Sequence, residues 1–206
     1  MTKHSFEAFG LTILQNAHPD IRRLKKRYPG HSLHGNKVWQ SSFVLMDYLQ
    51  EYPLELGSNV LEVGCGWGLA SVYSAKQFEA AVVALDADEN VLPYLEHHAE
   101  INGVELNTIA MDIADITPEQ LAGFDVIIGT DICFWDSLTE TVAELVAKAH
   151  TAGVPRTILT DPGRPSFRAM AEQCQAQFGG FYSDWAVPAP LNTWGLVLEV
   201  DGEDTA

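Results

Sequence analysis

From Asn59 to Val200 the chain alternates short apolar runs with longer amphipathic ones, and that alternation leaves few folds open. VLEVG (60–64), AVVALD (81–86), LNTIAMD (106–112), FDVIIGTD (124–131) and RTILTD (156–161) have the length and the β-branched content of strands. WGLASVYSAKQF (67–78), ADENVLPYLEHHAEING (87–103), SLTETVAELVAKAHTAG (137–153) and PSFRAMAEQCQAQFGG (165–180) carry helical periodicity, and three of them close on glycine. Asp88 is a candidate N-cap for the second helix, in which Pro93 is an awkward interior residue. FDVIIGTD is apolar almost throughout, as expected of a strand buried on both faces. FYSDWAV (181–187) and WGLVLEV (194–200) follow without a helix between them, which predicts an antiparallel hairpin. Seven strands in this pattern predict an α/β fold, a doubly wound and mostly parallel sheet with a C-terminal antiparallel hairpin. In such sheets ligands lie beyond the carboxyl ends of the strands, near the switch point.

Residues 1–58 stand outside this repeat and are expected to form an N-terminal helical extension, leaving 59–201 as the ligand-binding domain. Within the extension, KVWQSSFVLMDYLQEY (37–52) has apolar residues spaced for a helix packed on the domain. Six of the 12 lysines and arginines fall between Asp20 and Trp39, in a chain of net charge −16. That basic segment is either a solvated helix face or a docking patch for an acidic protein. The overall acidity argues against general affinity for nucleic acid or anionic membrane. The apolar runs are too short to span a bilayer, and MTKHSFEAFG has no apolar signal core, so a cytoplasmic protein is expected. Cys65, Cys133 and Cys174 are dispersed and lack metal-ligand spacing. The pairs in HSLH (31–34) and His97-His98 read as surface residues, and no metal site is expected.

The first strand ends in Gly64, Gly66 and Gly68 and feeds a helix, so backbone N–H groups there lie open to a ligand. A phosphate-binding P-loop needs Gly-Lys-Ser/Thr, which is missing. A dinucleotide loop reads G-x-G-x-x-G, and Leu69 occupies the third glycine's place. S-adenosylmethionine is the remaining candidate. Asp86 ends the second strand, 22 residues after Gly64, where a carboxylate accepts hydrogen bonds from ribose hydroxyls. Asp112 ends the third strand and either reaches the adenine edge or forms an Asx turn. Glu62 either braces the loop or meets the methionyl amine. Acidic surroundings suit a ligand carrying a sulfonium and an ammonium but no phosphate.

VLEVGCGWG, ALDAD, MDI and FDVIIGTDICFW resemble the consecutive motifs of class I, seven-stranded S-adenosylmethionine-dependent methyltransferases, whose fold is Rossmann-like. KVWQSS and Asp131-Ile132-Cys133-Phe134 resemble more closely the family that includes protein-lysine methyltransferases and was once labelled nicotinamide-methylase-like. DPGRP (161–165) is similar to the electron-transfer-flavoprotein lysine methyltransferase branch. The resemblance implies an N-methyltransferase acting on a protein substrate that presents lysine, with a small-molecule amine or heterocycle, or an inactive cofactor-binding interaction protein, as alternatives. It implies cofactor contacts from Trp39, Glu62, Gly64, Cys65, Gly66, Gly68, Asp86, Ala87, Asp112, Ile113 and Thr130. It places Asp131, Phe134 and Trp135 at the catalytic end, with Phe134 standing where the family has tyrosine, so no hydroxyl acts there.

A lysine nucleophile must arrive neutral, against a reference pKa of about 10.4. Aromatic walls desolvate it, and a carboxylate orients it. Asp131 is the candidate for orientation, against capping or a salt bridge; Phe134 and Trp135 supply aromatic faces, against core packing. Cys65 and Cys133 read as packing residues. Arg164 either clamps a substrate carboxylate or neutralises a neighbouring acid.

Overall fold

The structure, a computed structural model of the 206-residue chain, describes residues 4–28 and 37–202. HSLH and the last four residues lie outside that description. An antiparallel hairpin, β1 (Ser5–Ala8) and β2 (Leu11–Leu14), is followed by α1 (Pro19–Arg27) and α2 (Ser41–Glu51). Then come β3 (Asn59–Val63), α3 (Leu69–Phe78), β4 (Ala81–Asp86), α4 (Leu92–Asn102) and β5 (Asn107–Ala110). A 3₁₀ turn (Ile113–Asp115), α5 (Pro118–Leu121), β6 (Val126–Thr130) and α6 (Asp136–Thr151) lead to β7 (Arg156–Asp161) and α7 (Pro165–Phe178). The chain closes on β8 (Phe181–Val187) and β9 (Thr193–Asp201).

β3 to β9 form one sheet in the order β5-β4-β3-β6-β7-β9-β8. The pairings among β3 to β7 are parallel, while β9 runs antiparallel to both β7 and β8. Alternation along β6 explains why both faces are covered. Val126 and Ile128 pack with Phe43, Leu49 and Val72 on one side; Ile127 packs with Val142, Leu145 and Phe167 on the other. From the central β3 the chain winds outward through β4 and β5, then returns to β6 on β3's other side. That reversal opens a crevice above the carboxyl ends of β3, β4 and β6.

Three local expectations are corrected. The N-terminal extension is not wholly helical, because residues 5–14 form the β1–β2 hairpin. It docks on α4: the Leu14 N–H donates to His98 Nε2 at 3.2 Å, and Asn102 both accepts from the Thr12 N–H and donates to the Thr12 carbonyl. His98 is therefore not a surface residue. Its other ring nitrogen, Nδ1, donates to the Tyr94 carbonyl, and burial holds its pKa down at about 4, so it is a neutral strut. His97 stays nearer the surface, beside Asp20 and Glu100. α4 begins at Leu92, so Pro93 falls in its first turn, where a missing N–H costs nothing. Asp88 instead accepts from the Asn90 backbone and side-chain amides, forming a turn ahead of the helix.

The sharp bend into α3 depends on Gly68, at φ +66°, where a Cβ would stand 2.2 Å from Leu95 Cγ. Gly68→Ala combines a left-handed backbone with overpacking, so we expect a loss of about 3 kcal/mol in stability by urea denaturation.

Candidate active site

The crevice holds a cavity of about 530 Å³. Its floor is the bend between β3 and α3, built from Gly64, Cys65, Gly66 and Gly68. Gly64 also lies at positive φ, and a Cβ there would meet Ile132 Cγ2 at 2.6 Å, so the bend closes against the segment after β6. At the end of β4, Asp86 grips this bend: Oδ2 accepts from the Gly66 N–H at 2.9 Å and Oδ1 from the Asp88 N–H at 3.0 Å. Burial raises the Asp86 pKa, and those two backbone donors oppose the rise. Ala87, Asp112 and Ile113 continue the wall on this side. Asp112 is exposed and accepts from the Ala114 N–H at 2.9 Å, so it makes its Asx turn while still lining the cavity.

Glu62 alone among the expected contacts does not line the cavity. It points beneath the bend, 1% exposed, and its carboxylate accepts from the Ser71 N–H at 2.9 Å and from the Ser71 hydroxyl. This is the bracing arrangement. Burial pushes its pKa up to about 7, against the downward pull of the Ser71 bonds. A carboxyl with a raised folded pKa stabilises most when both states are protonated, and that advantage drains away as pH rises toward 7. Glu62→Gln keeps an acceptor for Ser71 and removes the titration. Its stability should exceed the parent's above pH 7 by on the order of 2 kcal/mol and lose most of that margin below pH 5, by denaturant titration at both values.

Across the cavity, Thr130 ends β6 and Asp131 follows it. Asp131 is 4% exposed and sits at φ +61°, a left-handed backbone held by its N–H donating to the Thr160 carbonyl at 2.8 Å. Its Oδ2 accepts from the Ser41 hydroxyl at 3.1 Å, which ties α2 to the site. Its Oδ1 pairs with Arg164, whose other nitrogen pairs with Asp161 Oδ2 at 2.6 Å. Arg164 is thus the bridge between two buried carboxylates, the neutralising alternative of the two considered. Its guanidinium also lies 4.5 Å from the Phe134 ring centroid.

Trp39, Phe134 and Trp135 form the outer wall. Trp39 meets Phe134 edge to face at 5.4 Å, and Phe134 lies 6.1 Å from Trp135, which is 45% exposed. Cys65 and Cys133 are buried, which raises both thiol pKa values, Cys133 to about 12; they pack rather than react.

Sequence reasoning overlooked Asp88, Trp67 and Lys37, which also line the cavity. Asp88 Oδ2 and Trp67 Nε1 are buried and have no hydrogen-bond partner among the described residues. Lys37 places its Nζ 3.9 Å from the Trp39 ring centroid. The closeness of Lys37 to Trp39 in sequence was the available signal; Asp88 was masked by its plausibility as a cap. The described basic residues from Arg22 to Arg27 are exposed on α1, whose Ile21 is turned inward against Trp67 and Tyr94. No described helix is long and apolar enough to cross a membrane, and no described cluster of histidine, cysteine and carboxylate side chains is arranged to hold a metal.

Residues 60–153 match a family model described as a methyltransferase domain. The chain is 34% identical over 177 residues to a ubiquinone biosynthesis O-methyltransferase of Xylella fastidiosa, covering 76% of this chain and 68% of that protein. It is 29% identical over 107 residues to a ribosomal protein L11 methyltransferase of Caldicellulosiruptor bescii, covering 52% of this chain and 34% of that one. The chain therefore spans about a third of the length of that relative. An electron transfer flavoprotein beta subunit lysine methyltransferase of Rattus norvegicus is 25% identical over 138 residues, covering 66% of this chain and 53% of that protein. Among solved structures, magnesium protoporphyrin IX methyltransferase from Synechocystis PCC 6803, with bound S-adenosylhomocysteine, shares the fold at TM-score 0.57 and 15% identity, covering 91% of this chain and 97% of that one. Fold, glycine bend and similarity converge on one conclusion: the chain belongs to the class I S-adenosylmethionine-dependent methyltransferases.

Proposed function

We propose that the protein transfers a methyl group to an amine nitrogen, and that the acceptor is a lysine side chain of a protein. The observation that carries the reading is the ammonium of Lys37 resting 3.9 Å from the Trp39 ring centroid, on a cavity wall completed by Phe134 and Trp135. A wall that receives one alkylammonium suits another.

The residues present fit the family's cofactor. Asp88 Oδ2 and Trp67 Nε1 are buried polar atoms with no partner among the described residues, on side chains that line the cavity, and Gly64, Gly66 and Gly68 line it with bare backbone. When bound, S-adenosylmethionine supplies a methyl group already activated by its sulfonium. The chain's work is alignment, which supplies roughly 7–11 kcal/mol when geometry is held well. Asp86 would receive the ribose hydroxyls, with Ala87, Asp112 and Ile113 available to the adenine and Gly64, Cys65, Gly66 and Gly68 available to the rest of the cofactor through their backbone. Trp39 and Thr130, which line the same cavity, would border its methionyl part. Asp131 orients the arriving amine: each carboxylate oxygen has more than one lone pair, so bonds to Ser41 and Arg164 leave acceptor capacity. The aromatic wall desolvates the amine, which favours its neutral, nucleophilic form.

A small-molecule acceptor is the second reading, favoured by the 34% identity to a ubiquinone biosynthesis O-methyltransferase. The purified protein, given isotopically labelled cofactor and lysate, discriminates the two. The lysine reading expects label that stays with protein and appears as methyl-lysine after hydrolysis. Label confined to the solvent-extractable fraction overturns it. The exposed basic face of α1 is positioned to meet an acidic part of the protein substrate, a contact that added salt should weaken.

A further inference from the structure

We infer that Lys37 is a substrate of the protein's own active site, a self-methylation site on the cavity wall. The inference rests on the proposed amine methyl transfer and adds an acceptor belonging to this chain. Lys37 lines the same cavity as the glycine bend and Asp86, although it lies on the stretch leading into α2 rather than in the α/β repeat. Its Nζ lies over the Trp39 ring, and the same ring meets Phe134, whose neighbours are Trp135 and the Arg164–Asp131 pair. Lys37 is therefore held on the wall assigned to the incoming amine. Lys37 is exposed, as are Lys25 and Lys26, but neither of those two lines the cavity: Lys25 lies 5.9 Å from the ring centroid of Trp67 and donates to Asn16, and Lys26 stands on α1.

The step balances with the family cofactor as the only co-reactant. The Lys37 ammonium releases a proton to solvent. The nitrogen lone pair forms a bond to the methyl carbon as the carbon–sulfur bond breaks, and that bond's electrons stay on sulfur as the thioether of S-adenosylhomocysteine. The product nitrogen keeps its two remaining hydrogens and the positive charge, as a methylammonium. Methylation keeps the positive charge available and enlarges the apolar surface facing Trp39, so the modified side chain retains its place on the ring. Lys37 thereby competes with an external lysine until that acceptor displaces it.

The test uses the full chain alone with methyl-deuterated S-adenosylmethionine. Cleavage before aspartate yields a peptide spanning 20–46, which contains Lys25, Lys26 and Lys37 and no other lysine. We expect deuterated methyl on Lys37 and not on Lys25 or Lys26, at a rate per molecule that does not change on dilution, and none on Lys37→Arg. A second readout needs no cofactor: the ε-methylene protons of Lys37 should be shifted upfield by the Trp39 ring current and return to ordinary positions in Trp39→Ala. An unmodified Lys37 in protein that labels a lysate acceptor overturns the inference and leaves the lysine reading standing. Failure to label either, despite cofactor binding, overturns both. Label on Lys25 or Lys26 instead, or ordinary ε-methylene positions in the parent, overturns the placement of Lys37.

Discussion

Asp86→Ala should bind S-adenosylhomocysteine roughly a hundredfold more weakly than the parent, by isothermal titration. Two losses combine. Buried ribose hydroxyls left without their acceptor cost about 1–3 kcal/mol. The substitution also releases the Gly66 and Asp88 N–H groups from the carboxylate that holds them at 2.9 and 3.0 Å, so the glycine bend is no longer fixed for its ligand. Asp86→Asn separates the two. It keeps an acceptor oxygen for one of those donors but turns its amide toward the other, so an intermediate loss is expected. Unchanged affinity in Asp86→Ala would remove the ribose from this position.

Arg164→Ala should cost about 3 kcal/mol of stability in denaturant titrations at neutral pH. It leaves Asp131 and Asp161, 4% and 0% exposed, without their shared cation. Breaking a buried pair costs about 3–5 kcal/mol, and the lower end applies because the Arg164 side chain is 23% exposed and water reaches the vacated space. The loss must depend on pH. Burial already raises the Asp161 pKa despite Arg164, and removing the cation raises it further. A carboxyl with a raised folded pKa contributes most below its unfolded value and loses that contribution as pH rises through the folded value. The variant should therefore lie closest to the parent at acid pH and fall away as pH climbs. Arg164→Lys keeps charge without the fork and should recover only part of the loss. A pH-independent deficit would mean that packing over Phe134, not charge, is what Arg164 supplies.

Much of this architecture is written in local sequence. AVVALD and RTILTD occupy β4 and β7 residue for residue, because each is a short run with β-branched residues that stops at an aspartate engaged by neighbouring backbone N–H groups. The glycine bend and Asp86 were legible because close backbone approach and a strand-end carboxylate leave a local signature. The β1–β2 hairpin was not: its strands are four residues each, too short for a period, and His98 and Asn102, nearly 90 positions away, hold it in place. The start of α4 was displaced by Asp88, whose side chain serves a turn as readily as a cap. The partners of Asp131 were equally hidden, since Ser41 and Arg164 approach it from elements on either side of β6 in sequence. Lys37 and Trp39 stand two residues apart in sequence, yet only the fold brings them to the wall that also carries Phe134.

A cocrystal with S-adenosylhomocysteine decides whether the bend at Gly64–Gly68 and the carboxylate of Asp86 together receive the cofactor's nucleoside. The ribose hydroxyls are expected within hydrogen-bonding distance of Asp86, the adenine against Ala87 and Ile113, and the sulfur directed toward Asp131 and Phe134. A nucleoside bound elsewhere, or turned so that its sulfur faces away from that aromatic wall, would contradict that placement.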